Sequence, residues 1–232
     1  MRLEKLLANL GYGSRRDIAR MCRDGFVTDA AGNPITVNSD LQPEQIRVEG
    51  EPLDPIAPFT ILLNKPDGYS CTTEDPGRVI YDLLPERYRY RKPLLSPVGR
   101  LDKDTTGLLL MTDDGQLLHR IISPKAEIAK TYEVILDRPL SGEEGKIFAS
   151  GELMLRSEKT PLKPAVLEVL DERRALLTIR EGRYHQVRRM FAAVGNHVQS
   201  LRRVRVGALD LGDLPEGEWR AATEEDVAKV FE

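Results

Sequence analysis

Acidic residues that could act on a substrate are concentrated in residues 99–115, which read GRLDKDTTGLLLMTDDG. Asp102, Asp104 and Thr106 alternate there with other residues. A free aspartate side chain has a pKa of about 3.9, so it is ionised at neutral pH and can bind a cation, attack an electrophile or remove a proton. This segment is therefore the first candidate for a catalytic site.

Two known acidic motifs share this spacing but not its surroundings. A calcium loop lies between two amphipathic helices, whereas Leu108 to Thr112 fill the ligand positions with mostly apolar side chains. The phosphatase motif of haloacid dehalogenases lies at the end of an apolar strand. Here Gly99 and Arg100 come just before Asp102 and interrupt any such strand. A polar turn without catalytic function also fits the composition.

Basic residues are concentrated in two parts of a chain whose formal net charge is -3. Residues 1–25 contain six bases and three acids, and residues 180–205 contain seven arginines and one glutamate. Such clusters can give an acidic protein a basic face that binds nucleic acid. For the arginines at positions 15, 16, 20 and 23, the alternative to nucleic-acid binding is an ordinary solvated helix face.

The composition excludes several classes of protein. The chain has 232 residues, enough for one large domain or two smaller ones, and no apolar run long enough to span a bilayer. Its start lacks the apolar stretch of a signal peptide, so we expect a cytoplasmic monomer without a membrane anchor. Cys22 and Cys71 lack the paired spacing of a zinc or redox site, and no metal is expected.

The N-terminal residues predict two short helices. Leucines at positions 3, 6, 7 and 10 recur at helical spacing and stop at Gly11. Ser14, followed three residues later by Asp17, predicts the N-cap of a second helix that ends by Gly25.

This N-terminal pattern resembles the S4 RNA-binding domain over residues 1–50, with a longer turn at residues 28–34. Three prolines in residues 51–58 predict an irregular, semi-rigid linker. We therefore expect an S4-like RNA-binding domain and linker at residues 1–58 and a second domain at residues 59–232. The resemblance implies these RNA-binding residues: Arg2, Lys5, Arg15, Arg16 and Arg20.

The second domain is expected to be α+β, with a mainly antiparallel or mixed sheet and flanking helices, because strands outnumber helices and do not alternate strictly with them. The predicted strands are 59–64, 108–112, 131–136, 165–170, 175–179 and 198–206. The predicted helices are 116–122, 143–149, 185–194 and 224–231.

Four segments of this domain together resemble the pseudouridine synthases. Residues 99–110 are similar to the catalytic motif of that family, residues 59–69 to its opening strand and turn, residues 130–132 to its tyrosine motif, and residues 180–191 to its basic motif. Residues 112–116, 163–169 and 183–186 resemble the branch that acts on small-subunit ribosomal RNA. The resemblance implies isomerisation of one uridine in 16S RNA, with no cofactor.

The same resemblance implies a role for each motif residue. Asp102 would attack ribose C1′ or remove a sugar proton, with Arg188 paired to it, and Tyr132 would stack on the uracil and help remove the C5 proton. Because the uridine must leave its stack, Arg100 would fill the gap, although a structural ion pair is the alternative. The residues expected to contact RNA in this domain are Arg100, Arg183, His185 and Arg189.

Three points stay open at this level. The chain could be a non-catalytic RNA-binding or ribosome-assembly factor, or a synthase that acts on large-subunit RNA. Its partner could be bare ribosomal RNA or an assembly intermediate of the small subunit. Residues 87–92, which interleave arginine and tyrosine, could contact single-stranded RNA or form a solvated loop.

Overall fold

The computed structural model describes residues 2–232, and the α-helices in this part of the chain are short. They are α1 (Leu3–Leu10), α2 (Arg15–Arg23), α3 (Gly115–Ile122), α4 (Glu144–Ala149), α5 (Gln186–Ala193) and α6 (Glu224–Lys229). None of these helices has both the length and the apolar character needed to cross a bilayer.

The strands form one sheet of three and one of nine. They are β1 (Val27–Asp29), β2 (Ile46–Val48), β3 (Glu51–Pro52), β4 (Thr60–Lys65), β5 (Ser96–Pro97), β6 (Thr105–Thr112), β7 (Lys130–Leu136), β8 (Val166–Val169), β9 (Arg174–Ile179), β10 (Val198–Val206), β11 (Leu209–Asp210) and β12 (Trp219–Ala221).

The small sheet and the first two helices enclose a separate core. Both helices predicted from the sequence are confirmed, and Ser14 and Asp17 form the expected capping box at the start of α2. The buried face of α1 supplies four leucines to this core, to which Ile18, Cys22 and Val27 also contribute. The basic residues of the two helices are left on the outside, because the apolar stripe of each helix faces inward.

The segment expected to be an irregular linker is partly ordered by the rest of the protein. Glu51–Pro52 is a strand, so the prediction of no regular structure is wrong there, because the backbone of β3 pairs with β2. Asp54 then accepts a hydrogen bond from Arg87 at 2.7 Å. The backbone N–H of Lys92 also donates to the carbonyl of Asn9 at 2.8 Å, so α1 is attached directly to the second domain.

Within residues 87–92, Arg87 and Arg91 make structural contacts with other parts of the protein. The guanidinium of Arg87 lies over the ring of Tyr12, 5.4 Å from its centroid. Arg91 is buried, with one nitrogen 3.3 Å from the Asp113 carboxylate and its guanidinium over Phe59. Arg91 is therefore not part of a solvated loop, because its partners come from distant parts of the chain, whereas Arg89, Tyr90 and Lys92 of the same segment are exposed.

The large sheet has the strand order β12-β4-β6-β10-β7-β9-β8, with β5 on β6 and β11 on β10. Only β6 and β10 run parallel; every other pair is antiparallel. The expected α+β class with a mainly antiparallel or mixed sheet is confirmed. The boundaries shift at the candidate site, where β6 begins at Thr105 rather than at 108 and α5 begins at Gln186 rather than at 185. Strands β5, β11 and β12 were not predicted, because two or three residues carry too little pattern.

The two faces of this sheet bury different groups of side chains. The larger core contains Leu101, Tyr132, Phe148 and Phe191. The smaller core contains Leu108, Leu117 and other apolar residues on the opposite side, covered by α3 and α6. Residues Leu101 and Tyr132 therefore border the same core, although 31 positions separate them in the sequence.

Gly107 allows β6 and β10 to approach each other closely. Its φ is +100°, and a Cβ built on it would lie 2.3 Å from the carbonyl oxygen of Arg203. We expect Gly107→Ala to lower the free energy of unfolding by at least about 2 kcal/mol, because the backbone conformation and the contact are both incompatible with a methyl group. Urea denaturation followed by circular dichroism measures this change.

The matched control is Gly115→Ala at the start of α3. A Cβ at Gly115 meets nothing within 4 Å. That substitution should leave stability unchanged or raise it by about 0.4–1 kcal/mol, because alanine restricts the unfolded chain. Equal effects of the two substitutions would contradict the close approach of β6 and β10.

Candidate active site

Asp102 lies on a tight turn immediately before β6. Its carbonyl oxygen accepts a hydrogen bond from the N–H of Thr105 at 3.1 Å, which closes the turn. The preceding residue, Leu101, is buried, and its N–H donates to the sulfur of Cys71 at 3.5 Å. The Asp102 side chain is 31% exposed. Its carboxylate is thus held on a fixed backbone and is open to a substrate.

The buried ammonium group of Lys65 fixes the backbone of this turn through hydrogen bonds. Lys65 ends β4 and is fully buried, and its Nζ donates to the carbonyls of Pro66 at 3.1 Å, Lys103 at 3.0 Å and Thr105 at 2.7 Å. Burial lowers the pKa of Lys65, while nearby acidic groups, Asp102 among them, act in the opposite direction. Two of the three hydrogen bonds therefore fix the backbone on both sides of Asp104, and the third goes to Pro66, which follows Lys65.

Arg188 does not form the pair that the sequence predicted. Its guanidinium contacts the carboxylate of Asp104 at 2.9 Å, the carbonyl of Asp104 at 3.2 Å and the carbonyl of Val198 at 3.0 Å. The expected partner was Asp102. Arg188 pairs with Asp104 instead because Asp104 offers one guanidinium nitrogen both a carboxylate oxygen and a carbonyl oxygen. Arg188 therefore contacts the turn that carries Asp102, without contacting Asp102 itself.

His185 is the basic residue that approaches the candidate carboxylate. Its Nε2 lies 3.5 Å from Oδ1 of Asp102, although the sequence predicted it only as an RNA contact. The residue has φ +47° and ψ +35°, in the left-handed region that a side chain with a Cβ rarely occupies. This backbone conformation places the imidazole ahead of α5.

Tyr132 lies in β7, on the same side of the sheet as Leu101. It pairs with Arg203 of β10, which in turn pairs with Gly107 of β6. The side chain is 8% exposed, so most of the ring is packed in the larger core. Three adjacent strands thus position Tyr132 relative to the turn of Asp102.

Six of the seven arginines of residues 180–205 have acceptors within the protein, although only Arg203 among the seven is buried. Glu158 accepts hydrogen bonds from Arg189 at 2.7 Å and Arg183 at 3.2 Å. These bonds hold the pKa of the Glu158 carboxyl below its usual value. Arg203 is buried, and its Nε donates to the carbonyl of Leu108 at 2.8 Å. Counting charges within residues 180–205 could not show these pairings, because Glu158 and Leu108 lie outside that segment.

The other predicted RNA contacts are exposed. Arg100 is exposed two residues before Asp102 and, within residues 2–232, takes part in no salt bridge, so the alternative of a structural ion pair is not realised. In the N-terminal part, Arg20 makes only a surface contact with Asp17 at 3.2 Å. The exposed basic residues of that part are Arg2, Lys5, Arg15, Arg16, Arg20 and Arg23.

Sequence reasoning gave no role to Lys65, Lys130, Glu158 or Arg203. A lysine that ends an apolar strand was a usable signal for Lys65, because a buried ammonium needs several acceptors. Lys130 lies two residues before Tyr132, and its Nζ donates to the carbonyl of Ile128 at 2.9 Å. Burial, with a smaller contribution from the charge of Arg203, lowers the pKa of Lys130 to about 8.

This mixed sheet with a carboxylate on a supported turn defines an enzyme-like domain, and comparison with known proteins identifies its class. The family model described as RNA pseudouridylate synthase matches residues 60–193. The chain belongs to the pseudouridine synthase family.

Similar proteins narrow the class further. The chain is 47% identical to "Ribosomal small subunit pseudouridine synthase A" of Yersinia pestis, covering 99% of this chain and 98% of the relative. It is 45% identical to the protein of the same name in Escherichia coli K12, covering 99% and 100%. A crystal structure described as a pseudouridylate synthase has a TM-score of 0.71 and 40% identity, covering 99% of both chains.

The lowered pKa of Lys130 predicts a pH-dependent contribution to stability. The folded-state pKa of Lys130 is about 8, against an ordinary lysine pKa of 10.5, so the folded protein releases this proton at a lower pH than the unfolded chain does. The cost of burying its charge is therefore present below pH 8 and is relieved between about pH 8 and 10.5. Lys130→Met should remove this dependence, so the stability difference between variant and wild type changes by up to about 3 kcal/mol across that range.

Urea denaturation of both proteins between pH 7 and 10.5 measures the difference, and other titrating groups cancel in it. Lys125→Met, at an exposed position, serves as the control and should give a difference that does not vary with pH. A constant difference for Lys130→Met would show that its ammonium is solvated.

Proposed function

We propose that this protein isomerises a uridine of small-subunit (16S) ribosomal RNA to pseudouridine, with Asp102 as the catalytic carboxylate. The observation that carries the assignment of the residue is its geometry: an accessible carboxylate on a turn fixed by Lys65, within the segment that resembles the family's catalytic motif. The names of the most similar relatives support the choice of the small subunit.

The reaction requires few protein groups. The bond between ribose C1′ and uracil N1 is broken, the base turns, and C1′ is joined to C5 without net oxidation or reduction. An ionised carboxylate can attack C1′ or remove a sugar proton, and in both routes the acting group is the Asp102 carboxylate. We propose that Tyr132 contacts the uracil and assists loss of the C5 proton, and that Arg188 steadies the turn through Asp104. These steps call for no cofactor.

RNA binding is proposed to use both parts of the chain. The exposed bases of α1 and α2 suit contacts with phosphates, as expected of an S4-like domain at residues 1–58. Arg100 is exposed and unpaired beside Asp102, which suits a side chain that fills the space left by the everted uridine. We propose that the substrate is ribosomal RNA or an assembly intermediate of the small subunit, and that the protein acts in the cytoplasm as a monomer.

Asp102→Asn tests the catalytic assignment directly. It should lower the rate of tritium release from 16S RNA labelled at uridine C5 by at least about 10³-fold, because the amide can neither attack nor take up the proton. The asparagine is of similar size, so the melting temperature and RNA affinity should stay close to those of wild type.

The matched control is Asp213→Asn, which changes an exposed aspartate in the loop between β11 and β12 and should leave tritium release unchanged. Full release by Asp102→Asn would refute its role. No release by the wild type from bare RNA, free small subunits or assembly intermediates would favour the rival function of a non-catalytic assembly factor.

The double variant Arg15→Ser/Arg16→Ser tests the RNA-binding role of α2. Loss of two phosphate contacts should weaken binding to all RNA sequences alike and reduce the slope of log K against log salt by about 1 to 2. Filter binding at several salt concentrations measures both effects. The control Arg138→Ser/Arg173→Ser removes the same charge from exposed positions in the second domain and should leave the slope unchanged.

A further inference from the structure

An exposed aromatic ring stands beside the candidate carboxylate. Tyr184 is 76% exposed, more than any other large apolar side chain in residues 2–232. Its ring is stacked on the imidazole of His185, with centroids 3.9 Å apart and planes 17° from parallel. The same imidazole lies 3.5 Å from Asp102. A carboxylate, an imidazole and a phenol ring therefore follow one another from the site outward.

The backbone that carries this stack is held in an unfavourable conformation. His185 is one of four non-glycine residues with positive φ in the described part of the chain. Such conformations persist only where surrounding contacts enforce them, and they occur often at functional sites. Here the left-handed turn brings the His185 ring against Tyr184 and toward Asp102.

The contacts that enforce this turn are the ion pairs of Glu158. Arg189, one of its two partners, donates to the carbonyl of Tyr184 at 3.0 Å. Arg183, the other partner, donates through its backbone N–H to the side chain of Gln186 at 2.9 Å. The backbone on either side of the stacked pair is thus connected to Glu158 through its two arginine partners. These contacts fix the backbone of Tyr184 and His185, and the ring of Tyr184 is held by its stacking on the His185 imidazole.

We propose that the outer face of Tyr184 is a stacking platform for a nucleobase next to the everted uridine. The inference deepens the proposed function and rests on Asp102 being the carboxylate that reaches the sugar. A ribose that contacts Asp102 would lie beside the His185 imidazole, which is 3.5 Å from Oδ1 of Asp102 and carries the stacked ring of Tyr184. A nucleobase is a flat ring that stacks on aromatic side chains whatever its identity, and the open tyrosine face supplies that surface.

The test measures RNA binding in an inactive background, where turnover does not interfere. Tyr184→Ala combined with Asp102→Asn should raise the Kd for a 16S RNA transcript between about 5-fold and 100-fold over Asp102→Asn alone, the range expected for loss of one stacked base. Tyr184→Phe should change the Kd by less than about 2-fold, because the ring face remains. Phe231→Ala, which removes an exposed ring lying against Arg120, is the control and should have no effect.

A second measurement locates the platform on the RNA. A photoreactive benzoylphenylalanine at position 184 should crosslink to a nucleotide within about two positions of the pseudouridine, whereas the same group at position 231 should not. An unchanged Kd for Tyr184→Ala, or crosslinks far from the modified uridine, would overturn the proposal.

The outcomes separate the platform from the catalytic assignment. If Asp102→Asn still released tritium, the proposed site would be wrong whatever Tyr184 does. If Asp102→Asn were inactive and Tyr184→Ala bound and reacted like wild type, only the platform would be wrong. Tyr184 is exposed, so its replacement should leave the melting temperature unchanged, and this is checked for each variant.

Discussion

The arrangement of the candidate site depends on one buried charge, the ammonium group of Lys65. An ammonium removed from water must find acceptors for its protons, and here these are the backbone carbonyls of Pro66, Lys103 and Thr105. The end of β4 is thereby attached to the start of β6, and the turn between Asp102 and Thr105 cannot move independently of the sheet. In the reaction proposed above, the carboxylate meets one carbon atom of a ribose, and a fixed turn favours this because a displacement of about 1 Å can cost about 10²-fold in rate.

Charge is used in two different ways in this protein. In the second domain, arginines near the site are paired with Glu158 and Asp104 and support the backbone around it. In the N-terminal part, the arginines of α2 are exposed and available to RNA. This division explains how an acidic chain can present a basic surface. The paired arginines hold the backbone near the site, and the exposed arginines of α2 contribute the positive potential that can attract an anionic partner.

The two parts of the chain are joined by specific polar contacts. The ion pair between Arg87 and Asp54 attaches the linker to the segment before β5, and the hydrogen bond from Lys92 to Asn9 attaches α1 to the same segment. These contacts attach the N-terminal part, with its exposed basic residues, to the domain that carries Asp102.

The sequence by itself determined the class of fold, the two N-terminal helices and the family, because these depend on local periodicity, capping and contiguous motifs. It did not determine the partners of the charged residues. Arg188 was expected on Asp102 and contacts Asp104, and the pairing of Arg183 and Arg189 with Glu158 was not foreseen. Only the tertiary structure decided these pairings and the approach of His185 to Asp102, because electrostatic and hydrogen-bonding partners are chosen by distance in space, and segments far apart in the chain meet only once the sheet has formed.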